Sequence, residues 1–212
     1  MINDWDYFVP QINPFMRSNS QLIQAAASAL RGKWGLAIGG FIIVAIIQVI
    51  AGSFGLGLAS IVIAGPMAFG QAIFFMAFSR GDQPVVDDLF SGFKRFGALL
   101  LLAILQMVII FAGMILLVIP GIIASVGLSM AYFIAVDRPE LEAPDVLRAS
   151  WDLVWKGGHF WKVVGFALLA ALLSIAGALC FGIGLLFTTP IILVGQAMLY
   201  DELRSKTAEF LD

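Results

Sequence analysis

The chain has 212 residues, of which 61% are hydrophobic and 12% charged, with a formal charge of −2 and a mean hydropathy of +0.99. A soluble domain carries about 25% charged residues, so this composition excludes an ordinary soluble fold and points to an integral membrane protein. The mild acidity gives no basis for nucleic-acid binding, and the single cysteine, Cys180, excludes an internal disulfide framework or a cysteine-based metal site.

The first segment, residues 1–17, is acidic and irregular and lacks the basic start and short apolar core of a signal peptide. Residues 18–35 then read as an amphipathic helix. Gln21, Gln24, Ser28 and Arg31 recur on one side, and Leu22, Ala25, Ala26, Ala29 and Leu30 on the other. Residues 36–79 contain no Asp, Glu, Lys or Arg. That run is 44 residues long, about twice the ~20 residues that one membrane-spanning helix needs. A glycine cluster at 51–57 marks a turn, so the run reads as a helical hairpin.

The pattern then returns. Residues 84–97 form a second amphipathic segment with Val86, Leu89, Phe90, Phe93 and Phe96 on its apolar side. A second uncharged run follows at 96–136, turning near 118–121. A third amphipathic segment, 144–161, sets Asp145, Arg148 and Asp152 against Leu147, Trp151 and Val154. The third uncharged run is 163–200, with its turn at 180–184, and a short tail covers 206–212. The predicted fold is therefore all-α. It is a single membrane domain (18–205) of six transmembrane helices, arranged as three pseudo-repeated hairpins. An interfacial amphipathic helix precedes each hairpin. All twelve Lys and Arg lie outside the three runs, on the segments that share one side in a six-span chain. The basic-residue rule makes that side cytoplasmic and places both termini there.

Each second span carries a proline: Pro66, Pro120 and Pro190. Starting the span at Pro66 leaves only 14 residues before Arg80, about 21 Å of helix, too short for a ~30 Å hydrocarbon core. Pro66 and Pro190 are thus expected inside their helices, which are kinked for packing or broken to line a cavity. Pro120 is expected at or near a first turn. Gln71, Ser125 and Gln196 follow the three prolines by five, five and six residues. They are the candidate polar positions of the bundle, either as interhelical hydrogen bonds or as a polar patch. Gln48 and Gln106 are the other glutamines of the spans.

The stretches "DLFSGFKRFG", "VIPGI", "LRASWDLVWKG" and "GIGLLFTTP" resemble the bacterial integral membrane proteins grouped as domain of unknown function 975. That group is similar to the YciC proteins and to the membrane domain attached to some glycerophosphodiester phosphodiesterases. The resemblance covers residues 20–203. It implies six helices, a bacterial inner membrane and a distant hint of lipid or head-group handling, with no catalytic residue to carry over.

Chemistry-bearing residues are sparse. His159 is the single histidine, which is too few for a histidine zinc cluster. "RGD" at 80–82 reads as a helix-end turn. "GLGLAS" at 55–60 lacks the preceding strand of a nucleotide fingerprint. Asp87 and Asp88, and Asp137, Glu140, Glu142 and Asp145, read as solvated loop carboxylates, with a divalent-ion site as the alternative. No nucleophile–base pair is legible, and no cofactor or metal is expected. The expectation is a non-enzymatic inner-membrane protein that binds lipid or a membrane partner, the partner being another protein or a second copy. The alternative is an oligomeric channel or passive transporter for a small solute.

Overall fold

The computed structural model describes residues 16–53, 58–180 and 182–209. The irregular start, most of the first turn and the last three residues lie outside them. Every regular element among the described residues is helical. Helix α1 (Asn19–Ala29) opens with a capping box: the Ser18 hydroxyl accepts from the Gln21 amide, and the Gln21 side chain accepts from the Ser18 amide at 2.7 Å. Then come α2 (Trp34–Ser53) and α3 (Leu58–Arg80), a 3-10 helix (Val86–Arg95), and α4 (Phe96–Leu116). The second half holds α5 (Val118–Gly127), α6 (Ala131–Asp137), α7 (Ala143–Trp155), α8 (Phe160–Leu179) and α9 (Leu185–Glu209). Five stretches are long and apolar enough to cross a membrane: α2, α3, the 3-10 helix with α4, α5 with α6, and α8.

The helices sort into an inner and an outer set. Of the most apolar window in α3, 56% is buried inside the protein, and 50% in α5–α6. The corresponding values are 22% for α2, 11% for the 3-10 helix with α4, and 17% for α8. Helix α9 joins the inner set through buried Val194, Ala197, Leu199, Tyr200 and Leu203. The proline-bearing helices are thus the inner three. The outer ones turn residues such as Ile46, Val108, Phe111, Ile115 and Leu172 outward, an apolar surface suited to lipid. Helices pair in chain order, α2 with α3, α4 with α5, and α8 with α9.

The three amphipathic segments are packed against the bundle. Each is packed on an inner helix that precedes it in cyclic order: α1 on α9, the 3-10 helix on α3, and α7 on α5 and α6 with α4 alongside. Leu22 and Ala26 of α1, with Leu30 just after it, are fully buried, whereas Trp151 on the apolar side of α7 is 38% exposed. The second segment also winds differently from its 3.6-residue reading. With three residues per turn its side chains stack in columns. Val86, Leu89 and Gly92 face inward, while Phe90, Phe93 and Phe96 stand outward, the last two stacked at 6.4 Å.

Small residues make the closest approaches. A β-carbon on Gly70 would lie 2.0 Å from the Leu89 carbonyl oxygen, and one on Gly92 would lie 2.1 Å from that of Pro66. The 3-10 helix therefore runs antiparallel to α3 with backbone against backbone, a packing that only glycine permits. Gly113 and Gly121 let α4 reverse into α5 through the single extended residue Leu117.

Candidate functional site

The inner helices hold their prolines differently. Pro66 and Pro190 are buried, and helical structure continues through both. Neither helix is broken there. Pro120 lies in the first turn of α5, where its missing N–H has no partner to lose. The break in the inner set is elsewhere, at Leu128–Met130 between α5 and α6. A helix interrupted inside a bundle exposes carbonyls and amides that apolar surroundings cannot satisfy. Three other helices supply partners. The Ser150 hydroxyl, from α7, donates to the Gly127 carbonyl at 2.9 Å and accepts from the Met130 amide at 3.3 Å. Gln106, from α4, donates to the Leu128 carbonyl at 3.2 Å, and Gln196, from α9, to the Ser129 carbonyl at 3.4 Å. Two glutamines of the apolar runs thus serve a broken backbone.

Beside the break, α3, α6 and α9 enclose a cleft of about 130 Å3. Gln71, Ser129, Tyr132 and Gln196 give its polar lining, with Phe75 and Phe133 among its apolar walls. Gln71 and Gln196 come together here. Ser125 does not: it is exposed, and its hydroxyl donates back to Ile122 within its own helix. Ser129 and Tyr132, further along the chain, line the cleft instead. Gln48 takes no part in the lining.

Beyond Phe75, Phe133 and Gln196 the same three helices carry a charged cluster. Arg80 donates through both terminal nitrogens to the two Asp137 oxygens, each at 3.0 Å, the fork-to-fork geometry that suits guanidinium and carboxylate. It also reaches Asp201 at 2.7 Å. Tyr200 donates to Asp137 at 3.0 Å, Arg204 pairs with the same carboxylate, and the Tyr200 ring stacks on Phe133. Two cations and two anions balance. Asp137, read from sequence as a solvated loop carboxylate, has a side chain only 10% exposed. The signal that finds this cluster is its position: Arg80, Asp137 and Asp201 are the first charges after the three uncharged runs.

On one side the cleft is open to its surroundings. The face of α3 that carries Gln71 continues through Ala68 and Ala64 to Ile61, which is 38% exposed. Helix α6 meets α3, whereas α5 packs on α4, α7 and α8. The half of the broken helix that ends in Asp137 is thus the half packed on α3.

His159, just before α8, is 7% exposed, and its Nε2 has no partner among the described residues. Burial, helped by Lys162, holds its imidazole below the ordinary value. It lies in the turn between α7 and α8, not in the cleft. Of the other carboxylates, Asp88 accepts from the Val85 amide at 3.1 Å and opens the 3-10 helix, and Asp145 sits 3.8 Å from Arg148. Among the described residues no group of three His, Cys, Asp or Glu is gathered as a metal site would require.

Fold and cleft together describe a helical protein with several membrane-length apolar helices and a small, mostly apolar recess that a few polar side chains line. No family model matches the chain, and no curated protein or solved structure matches it either.

Proposed function

We propose that the chain is a non-enzymatic protein of the bacterial inner membrane, with six spans and both termini cytoplasmic, that binds a lipid or a membrane partner in the cleft between its inner helices. The observation that supports this reading is the small recess between α3, α6 and α9, where Gln71, Tyr132 and Gln196 stand among apolar walls and no charged side chain takes part. The charges at the ends of the same helices are paired with one another, which suits binding of a neutral group more than conduction. Helix α9 serves as the sixth span. Its residues 185–200 carry no charge, and the first charge after them, Asp201, is paired with Arg80. The three hairpins are read as one repeated unit, supported by the cyclic packing of the short segments on the inner helices. Arg80 and Arg204 add to this, each fourteen residues after its proline (80 − 66 and 204 − 190) and each bound to Asp137. The resemblance to the domain-of-unknown-function 975 proteins belongs to the same reading and rests on its four motifs.

The topology is tested with reporter fusions. Fusions after Asp212 and within residues 53–56 should report opposite sides, and a periplasmic signal from the first ends the six-span reading. The binding role is tested by placing a photo-crosslinking amino acid at Leu193, which lines the cleft, and irradiating native membranes. Lipid or protein adducts are expected there. Adducts at an outer position such as Leu172 with none at Leu193 would remove the cleft from consideration. The second reading, a passive transporter, draws on the α5–α6 break, because irregular backbone beside a cavity is a feature of transport proteins. Protein-dependent entry of a small solute into proteoliposomes would favour it.

A further inference from the structure

We infer that the cleft selects an uncharged, hydroxyl-bearing group, of the size and chemistry of a glycerol moiety, and rejects phosphate and other ions. The inference rests on the binding role proposed above and names its ligand class. Three observations carry it.

The first is volume. The cleft offers about 130 Å3, room for a small head group, and it is open to its surroundings on one side.

The second is unspent hydrogen-bonding capacity. Gln196 and Ser129 are engaged with the broken backbone, Ser129 donating its hydroxyl to Val126 at 2.8 Å. Gln71 and Tyr132 line the cleft, and neither side chain has a hydrogen-bond partner among the described residues. An amide offers two donors and an acceptor, and a phenol offers one of each. Together they match hydroxyls, which both donate and accept.

The third is charge. Beyond the Tyr132 phenol, the lining has no ionisable side chain. The nearby cations are already committed: Arg80 to Asp137 and Asp201, and Arg204 to Asp137. A phosphate entering the cleft would lose its hydration and find no free counter-charge, and burying an unpaired ion is far more costly than burying a hydrogen-bonded neutral group. Phe75 and Phe133 suit the carbon faces of the same head.

Such a group comes either as the free polyol or as the head of a neutral diglyceride, and the test separates them. The full chain, purified in detergent, is titrated with dioctanoylglycerol and with dioctanoyl phosphatidate, and bound species are counted by native mass spectrometry. The expected result is one dioctanoylglycerol per chain and at least about tenfold weaker binding of the phosphatidate. Gln71→Leu and Tyr132→Phe should each weaken dioctanoylglycerol about tenfold while leaving the unfolding temperature in place, because neither side chain holds the fold together by hydrogen bonds. Both substitutions are conservative in volume, and the second removes a single oxygen. Excess glycerol that displaces dioctanoylglycerol supports the polyol as sufficient. Failure to displace it supports the diglyceride as the source. Equal binding of phosphatidate overturns the assignment while leaving a lipid-binding role standing. So does diglyceride binding that ignores both substitutions. Absence of binding by all three probes overturns the assignment as well, and if the Leu193 crosslink is also silent, the binding role falls with it.

Discussion

A methyl group is the smallest change a glycine can suffer, and at two positions here it meets backbone. The β-carbon of alanine at Gly70 would stand 2.0 Å from the Leu89 carbonyl oxygen, and at Gly92 2.1 Å from that of Pro66. A carbonyl in a helix cannot rotate aside, so α3 and the 3-10 helix must separate along their length. Overpacking of this kind costs about 1–3 kcal/mol or more. Gly40 is a useful contrast: its added carbon would meet the Phe74 ring at 2.6 Å, the far end of a side chain that can turn. Gly39 has nothing within 4 Å. In thermal unfolding in detergent, the expected order of damage is Gly70→Ala and Gly92→Ala first, then Gly40→Ala, with Gly39→Ala unchanged. Equal melting of all four would show that the backbone contact does not constrain the fold. The sequence held the glycines in plain view but not their purpose, because a close approach depends on what lies opposite.

At the scale of elements, what could be read was whatever depends on local composition. The uncharged runs, the pairing of helices across short turns and the first-turn place of Pro120 are all local. Two things were not. The 3-10 winding of Val86–Arg95 divides one expected apolar face into an inward and an outward column, and only the docked α3 distinguishes Leu89 from Phe90. The break at Leu128–Met130 lies in "ASVGLSMAYF", which contains no proline and reads as continuous helix. Its cause is long-range, since Ser150 is 20 residues from Met130 and serves both sides of the gap. Ser150→Ala should therefore destabilise the protein by about 1–3 kcal/mol, the usual result of leaving buried backbone groups unpaired. Hydrogen exchange at the Met130 amide should rise. Unchanged exchange there, with unchanged stability, would mean the break is held by packing alone.

For the molecule as a whole, the charged cluster ties all three inner helices together. Asp137 is its hub, taking hydrogen bonds from Arg80, Arg204 and Tyr200, whereas Asp201 takes them from Arg80 and Ser79. The Asp137 side chain is 10% exposed and that of Asp201 25%. Removing charge from the more buried, more connected carboxylate leaves two arginines with one anion. Asp137→Asn should thus lower stability by on the order of 3 kcal/mol, as expected when one member of a buried ion group is lost. Asp201→Asn should cost less, because its place is wetter and Arg80 keeps its two-pronged partner. Adding Arg204→Gln to Asp137→Asn restores the charge balance and should recover part of the loss, since the large penalty comes from uncompensated charge and not from the missing bonds alone. Chemical denaturation of the four proteins in the same detergent decides it. If Asp201→Asn proves the more damaging, or if Arg204→Gln worsens Asp137→Asn, then the hub is wrongly placed, and the joining of α3, α6 and α9 must owe more to the stacking of Phe133 on Tyr200 and the packing around it than to charge.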